Sequence, residues 1–173
     1  MNEPPATTLD FTANGVEFGP WATVVEGDDL TLVSTTFKSG SYVDYADEGV
    51  TLTLSGADEP YGVLEAIFLS REKRKAVRFS FESVWAFRVL DEGGLLELWE
   101  ASSRTPRPAF ATFRVRGHAW QDESVLMWVH GADSEHFSWM IATDADCLEV
   151  VTCEEPKVEV LSDAFVTVSG SSG

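Results

Sequence analysis

Apolar residues recur at every second position through most of this chain. A period of two places alternate side chains on opposite faces of a strand and is incompatible with the apolar stripe of a surface helix. Val77, Phe79 and Phe81 alternate with Arg78, Ser80 and Glu82. Leu30 and Leu32 alternate with Thr31, Val33 and Thr35, and Val50, Leu52 and Leu54 with Thr51 and Thr53. Trp85, Phe87 and Val89 are expected to share one face. Further runs at 110–116, 124–130, 137–141, 147–152, 158–161 and 165–168 have the same character, and the stretch at 62–70 fits either a strand or a buried helical turn. Turn signals separate the runs: Asp91-Glu92-Gly93-Gly94, the Pro106/Pro108 loop, Gly131–Ser134 and Thr143–Asp146. Leu95–Ala101 (LLELWEA) fits both periods and is assigned to a strand because its neighbours are strands.

This spacing predicts a mainly β chain: one antiparallel β-barrel or β-sandwich of about ten short strands, with few or no helices. With no composition break or fixed-period repeat, a single domain over 1–168 is expected. The remaining residues, 169–173 (GSSG preceded by Ser169), read as a flexible tail, natural or added.

Charge narrows the partners. The chain of 173 residues has 29 acidic and 12 basic side chains, a formal charge of −17. A phosphate-tracking nucleic-acid binder needs the opposite field, as does attachment to an anionic membrane. The charge is segregated: net −11 over residues 1–70, +4 over 71–116 and −10 over 117–173. The basic block reads as intramolecular, with Arg71, Lys73, Arg74 and Lys75 on a hairpin loop and Arg78, Arg88, Arg114 and Arg116 facing out from strands beside carboxylates. Acidic clusters in turn-like stretches are the candidate partner surface: Asp28 and Asp29, then Asp44, Asp47 and Glu48, then Asp58 and Glu59. Such clusters steer a cationic partner and raise its association rate, so a basic protein is the expected partner.

No catalytic pattern emerges. His130, His136, Cys147 and Cys153 run H-x5-H-x10-C-x5-C, and the cysteine spacing does not fit structural zinc. Asp144-Ala145-Asp146 lacks the glycine and glutamate of a calcium loop. Cys147 and His136 lie on strands expected to form one hairpin, but no flanking signature marks a nucleophile. There is no nucleophile elbow and no glycine-rich phosphate loop, so no enzyme activity, metal or cofactor is expected. Two cysteines are too few for a disulfide framework, and the opening MNEPPATTLDFTANGVEFGP has neither a basic start nor an apolar run, so the expected location is cytoplasmic. Six tryptophans are a large number for this length. Trp85, Trp99, Trp128 and Trp139 fall on apolar runs and are either core or the lining of an aromatic pocket.

Two stretches, Phe79–Trp99 (FSFESVWAFRVLDEGGLLELW) and Phe137–Glu159 (FSWMIATDADCLEVVTCEEPKVE), resemble small bacterial β-rich proteins of toxin-immunity type. The resemblance covers about a third of the chain and implies a cytoplasmic, non-enzymatic protein that binds another protein. It transfers no functional residue. The alternative is a small-molecule-binding β-barrel with an aromatic pocket.

Overall fold

The computed structural model describes residues 15–39, 62–120 and 137–161 in full, together with the backbone of 44–47 and 50–53. The mainly β expectation holds. Strands β1 (Glu17–Pro20), β2 (Leu30–Lys38), β3 (Asp44–Asp47), β4 (Val50–Thr53), β5 (Val63–Ser70), β6 (Lys75–Phe81) and β7 (Val84–Asp91) are followed by a 3-10 turn (Glu92–Leu95) and helix α1 (Leu96–Ser102). Then come β8 (Thr112–Arg116), β9 (Ser138–Ile141), β10 (Asp146–Thr152) and β11 (Lys157–Val160). Among the described residues they form an antiparallel five-stranded sheet, β1-β8-β9-β10-β7, a four-stranded sheet, β11-β6-β5-β2, and the separate hairpin β3-β4. No closed barrel forms among these residues, and buried side chains of the two larger sheets share one hydrophobic core. The expected strands at 124–130 and 165–168 lie outside the described residues.

The inter-sheet core follows from the alternation. Leu64, Ala66 and Phe68 of β5 and Val77, Phe79 and Phe81 of β6 point inward to meet Ile141, Leu148 and Val150 of the five-stranded sheet. Trp21 closes the aromatic part of this layer, edge-on to Phe79 at 5.9 Å and to Trp139 at 5.0 Å. The opposite face of the five-stranded sheet is also covered. Phe113, Val115, Met140 and Cys147 pack beneath Leu95, Leu98 and Ala101 of the helical segment. A sheet buried on both faces loses the apolar-in, polar-out code, and in β10 every residue from Cys147 to Thr152 is buried.

Two sequence readings are corrected. Leu95–Ala101 is helical rather than extended, because its i, i+3 pattern supplies a cover for the second face; Leu95, Leu98 and Ala101 are buried while Leu96 is exposed. Asp91 starts the helical segment by accepting the Gly93 N–H. The faces of β7 also differ from the expected ones. Val84 pairs with Thr152 and Ala86 with Val151, so Trp85 is the extra residue of a β-bulge and half exposed, on a different footing from Phe87. Val33 is skipped in the same way where β2 meets β5. Both bulges lie on edge strands of their sheets, where they spoil the flat ladder that another chain's strand would extend.

Gly117 ends β8 with φ of +75°, and a Cβ there would collide with the Gly15 carbonyl oxygen. The Gly117→Ala variant is therefore expected to lose about 2 kcal/mol of stability from backbone strain. Chemical denaturation checks this; an unchanged midpoint would mean that the Gly15–Gly117 approach relaxes freely.

Candidate functional site

A cleft of about 400 Å³ opens where four irregular segments meet: the turn before β2, the start of the helical segment, the loop after α1 and the β9–β10 turn. Its size is within the range of ligand sites. Backbone hydrogen bonds fix its rear wall. Ala111 N–H donates to the Glu26 carbonyl and Ala142 N–H to the Ala111 carbonyl, each within 2.9 Å. Trp99 stands on α1 with its indole N–H donating to the Glu92 carbonyl at 2.9 Å. The Arg107 guanidinium lies 4.5 Å from the Trp99 ring centre and 5.4 Å from that of Phe113. Phe110 supplies an exposed ring.

Four acidic residues, Asp28, Asp29, Glu92 and Asp144, line the cleft together with one basic residue, Arg107. They are not equivalent. Asp28 accepts the Ser70 hydroxyl at 2.6 Å and pairs with Lys73 at 3.3 Å; Asp29 pairs with Arg71 at 2.9 Å. These two acids thus tie the turn before β2 to the basic β5–β6 hairpin loop. Glu92 and Asp144 are exposed and have no ion-pair partner among the described residues.

The cleft therefore brings together three of the residues nominated from sequence, Asp28, Asp29 and Trp99. Others go elsewhere. Asp44 and Asp47 lie on strand β3 rather than in a turn, because the segment pairs with β4. Glu48, Asp58, Glu59 and Trp128 lie outside the described residues, as do His130 and His136. Trp139 is in the inter-sheet core, and Trp85 is on the β7 bulge, so the described tryptophans of the nominated set do not converge on one pocket.

Cys147 accepts at Sγ from the backbone N–H of Thr143, a cleft residue, at 3.4 Å. Burial pushes its thiol above the usual range, which disfavours the thiolate needed for nucleophilic attack. Cys153 is exposed and both cysteines are free. No cluster of three or more His, Cys, Asp or Glu with metal-binding geometry occurs among the described residues.

A second polar constellation is one the periodicity could not flag. Glu149 of β10 is buried, and its carboxylate is shared. Arg88, directly across in β7, donates from Nε at 2.8 Å and approaches through a terminal nitrogen at 2.7 Å. His118 brings Nε2 to 2.8 Å from the other oxygen. Arg88 also lies 4.5 Å from the Trp120 ring, and both oxygens of Glu97 on α1 hold the Ala119 N–H at 3.0 Å. Burial raises the Glu149 carboxyl, but His118, Arg88 and the Ser138 hydroxyl outweigh it and hold the group below its usual range. His118 and Glu149 are both only 1% exposed, so this cluster fastens residues 117–120 to the sheet and offers no access to a substrate.

No family model, curated protein or solved structure matches the chain.

Proposed function

We propose that this protein is a non-enzymatic, cytoplasmic binding module of the immunity or inhibitor type, which receives a basic segment of another protein in the cleft beside Trp99. The observation that carries the reading is the composition of that cleft: four acidic residues and two aromatic ones, the exposed Phe110 and the partly buried Trp99, around about 400 Å³. Carboxylates attract lysine and arginine, and aromatic faces hold their cationic heads. The overall charge of −17 steers the same partner from a distance.

A hexa-arginine peptide titrated against the protein tests this. Binding is expected, and it should weaken steeply between about 0.1 M and about 1 M salt as the screening length falls from about 10 to about 3 Å. Glu92→Gln and Asp144→Asn should each weaken it by about threefold to tenfold while leaving the fold intact, since neither carboxylate has an ion-pair partner to lose among the described residues. Absence of binding, or binding indifferent to both substitutions, would remove the basis of this reading. The other reading, a small-molecule site, rests on the exposed Phe110 ring beside Trp99. It predicts quenching of Trp99 by a neutral apolar ligand with no salt dependence.

A further inference from the structure

We infer that Arg107 is an internal stand-in for the partner: it occupies the place on Trp99 that an arginine side chain of the basic segment takes, and must be displaced for binding. This rests on the reading of the cleft as a site for a basic segment and adds the chemistry of the occupant and a built-in competitor.

The contacts of Arg107 make it unlike the other arginines of the cleft region. Arg71 is paired with Asp29 at 2.9 Å, and Arg104 with Glu100 at 3.6 Å within α1 and its following turn. Arg107 instead lies over two rings, Trp99 and Phe113, and makes no ion pair among the described residues although the cleft holds four carboxylates. Arginine is the residue best suited to such a place, because its flat, weakly hydrated guanidinium stacks on an aromatic face. The arrangement demonstrates that the Trp99 face accepts a guanidinium. It also means that an incoming arginine meets an occupied face.

The segment bearing Arg107 is suited to yield. It lies in the irregular stretch between α1 and β8, after Pro106 and before Pro108. Neither proline can donate a backbone hydrogen bond, so this part of the loop has fewer ties to lose on moving. Trp99 and Ala111, on either side, remain fixed by their own bonds to Glu92 and Glu26. Displacement would therefore move the Arg107 side chain and leave the cleft walls in place.

The test compares wild type, Arg107→Gln and Arg104→Gln for binding of the same hexa-arginine peptide by calorimetry. Both variants lose one positive charge, and only the first uncovers Trp99. Arg107→Gln is expected to bind about fivefold more tightly than Arg104→Gln, the scale of one exposed cation–aromatic contact. That advantage should shrink when Trp99→Phe is added, because a phenyl ring holds a cation less well. In the free protein, Arg107→Gln should also make Trp99 emission more sensitive to caesium ions, a cationic quencher. If Arg107→Gln binds no better than Arg104→Gln, or more weakly than wild type, the stand-in role is refuted while the cleft remains a cation site. If neither wild type nor Arg107→Gln binds the peptide, the reading of the cleft fails and this inference with it.

Discussion

Replacing Glu149 by Ala should destabilise the protein by about 3 kcal/mol or more, with the folded form still recognisable by its far-ultraviolet signature. The carboxylate is buried, pairs with the Arg88 guanidinium and lies 2.8 Å from the His118 imidazole. Removing one partner of a buried pair leaves the others desolvated and uncompensated, which costs about 3–5 kcal/mol. The side chain of Arg88 retains 22% exposure, so water can relieve part of that cost. Loss of Glu149 also frees residues 117–120 from their attachment to β10. A triple variant, Arg88→Met with His118→Leu and Glu149→Leu, should recover most of the stability, because replacing the ion pair and the imidazole together leaves no buried charge without its counter-charge. Equal instability in the single and triple variants would show that packing, not charge, sets the cost.

The same group gives the acid limb of the stability curve its shape. Its carboxyl titrates lower in the folded chain than the ordinary value of 4.5. A depressed carboxyl contributes stability that is fully present above the unfolded value and is lost as pH falls through the folded one. Wild type should therefore lose stability progressively below about pH 4.5, and a Glu149→Gln variant should lose less over the same interval. Urea midpoints collected from neutral pH down to about pH 3 would show the difference, and parallel curves would place the acid sensitivity elsewhere.

How far the fold was legible depended on whether a strand had one buried face or two. In β6 the alternation of Val77, Phe79 and Phe81 with polar residues led directly to the inter-sheet core. In β10 the same logic would send Glu149 to solvent, opposite Leu148 and Val150. It is buried because α1 and residues 117–120 cover the second face, and that cover comes from distant parts of the chain. The helix itself was ambiguous, since Leu95, Leu98 and Trp99 fit its period and Leu96 and Leu98 fit a strand's. Bulges leave no periodic signal, so Trp85 could not be distinguished from Phe87. The cleft was partly legible: acidic turns and an aromatic residue can be nominated from composition. Arg107, Glu92 and Asp144, in contrast, belong to separate loops whose meeting is a product of topology.

The core prediction with the largest expected effect falls on Phe79. Its ring is fully buried, edge-on to Phe68 at 5.3 Å and to Trp21 at 5.9 Å. Phe79 also sits on an interior strand, with β5 on one side and β11 on the other; Ala66 and Val158 are its register partners. Its neighbours are held on both sides and cannot collapse into the space it leaves. Phe79→Ala should therefore cost about 3–5 kcal/mol, combining lost burial with an unfilled cavity. Phe79→Leu, which keeps most of the volume, should cost less than half as much. Trp21 shares the cavity, so the Phe79→Ala and Trp21→Phe effects should be non-additive by at least about 0.5 kcal/mol. Strict additivity in that double-mutant cycle would mean that the two rings stabilise the core independently. The core would then depend on summed burial rather than on their contact.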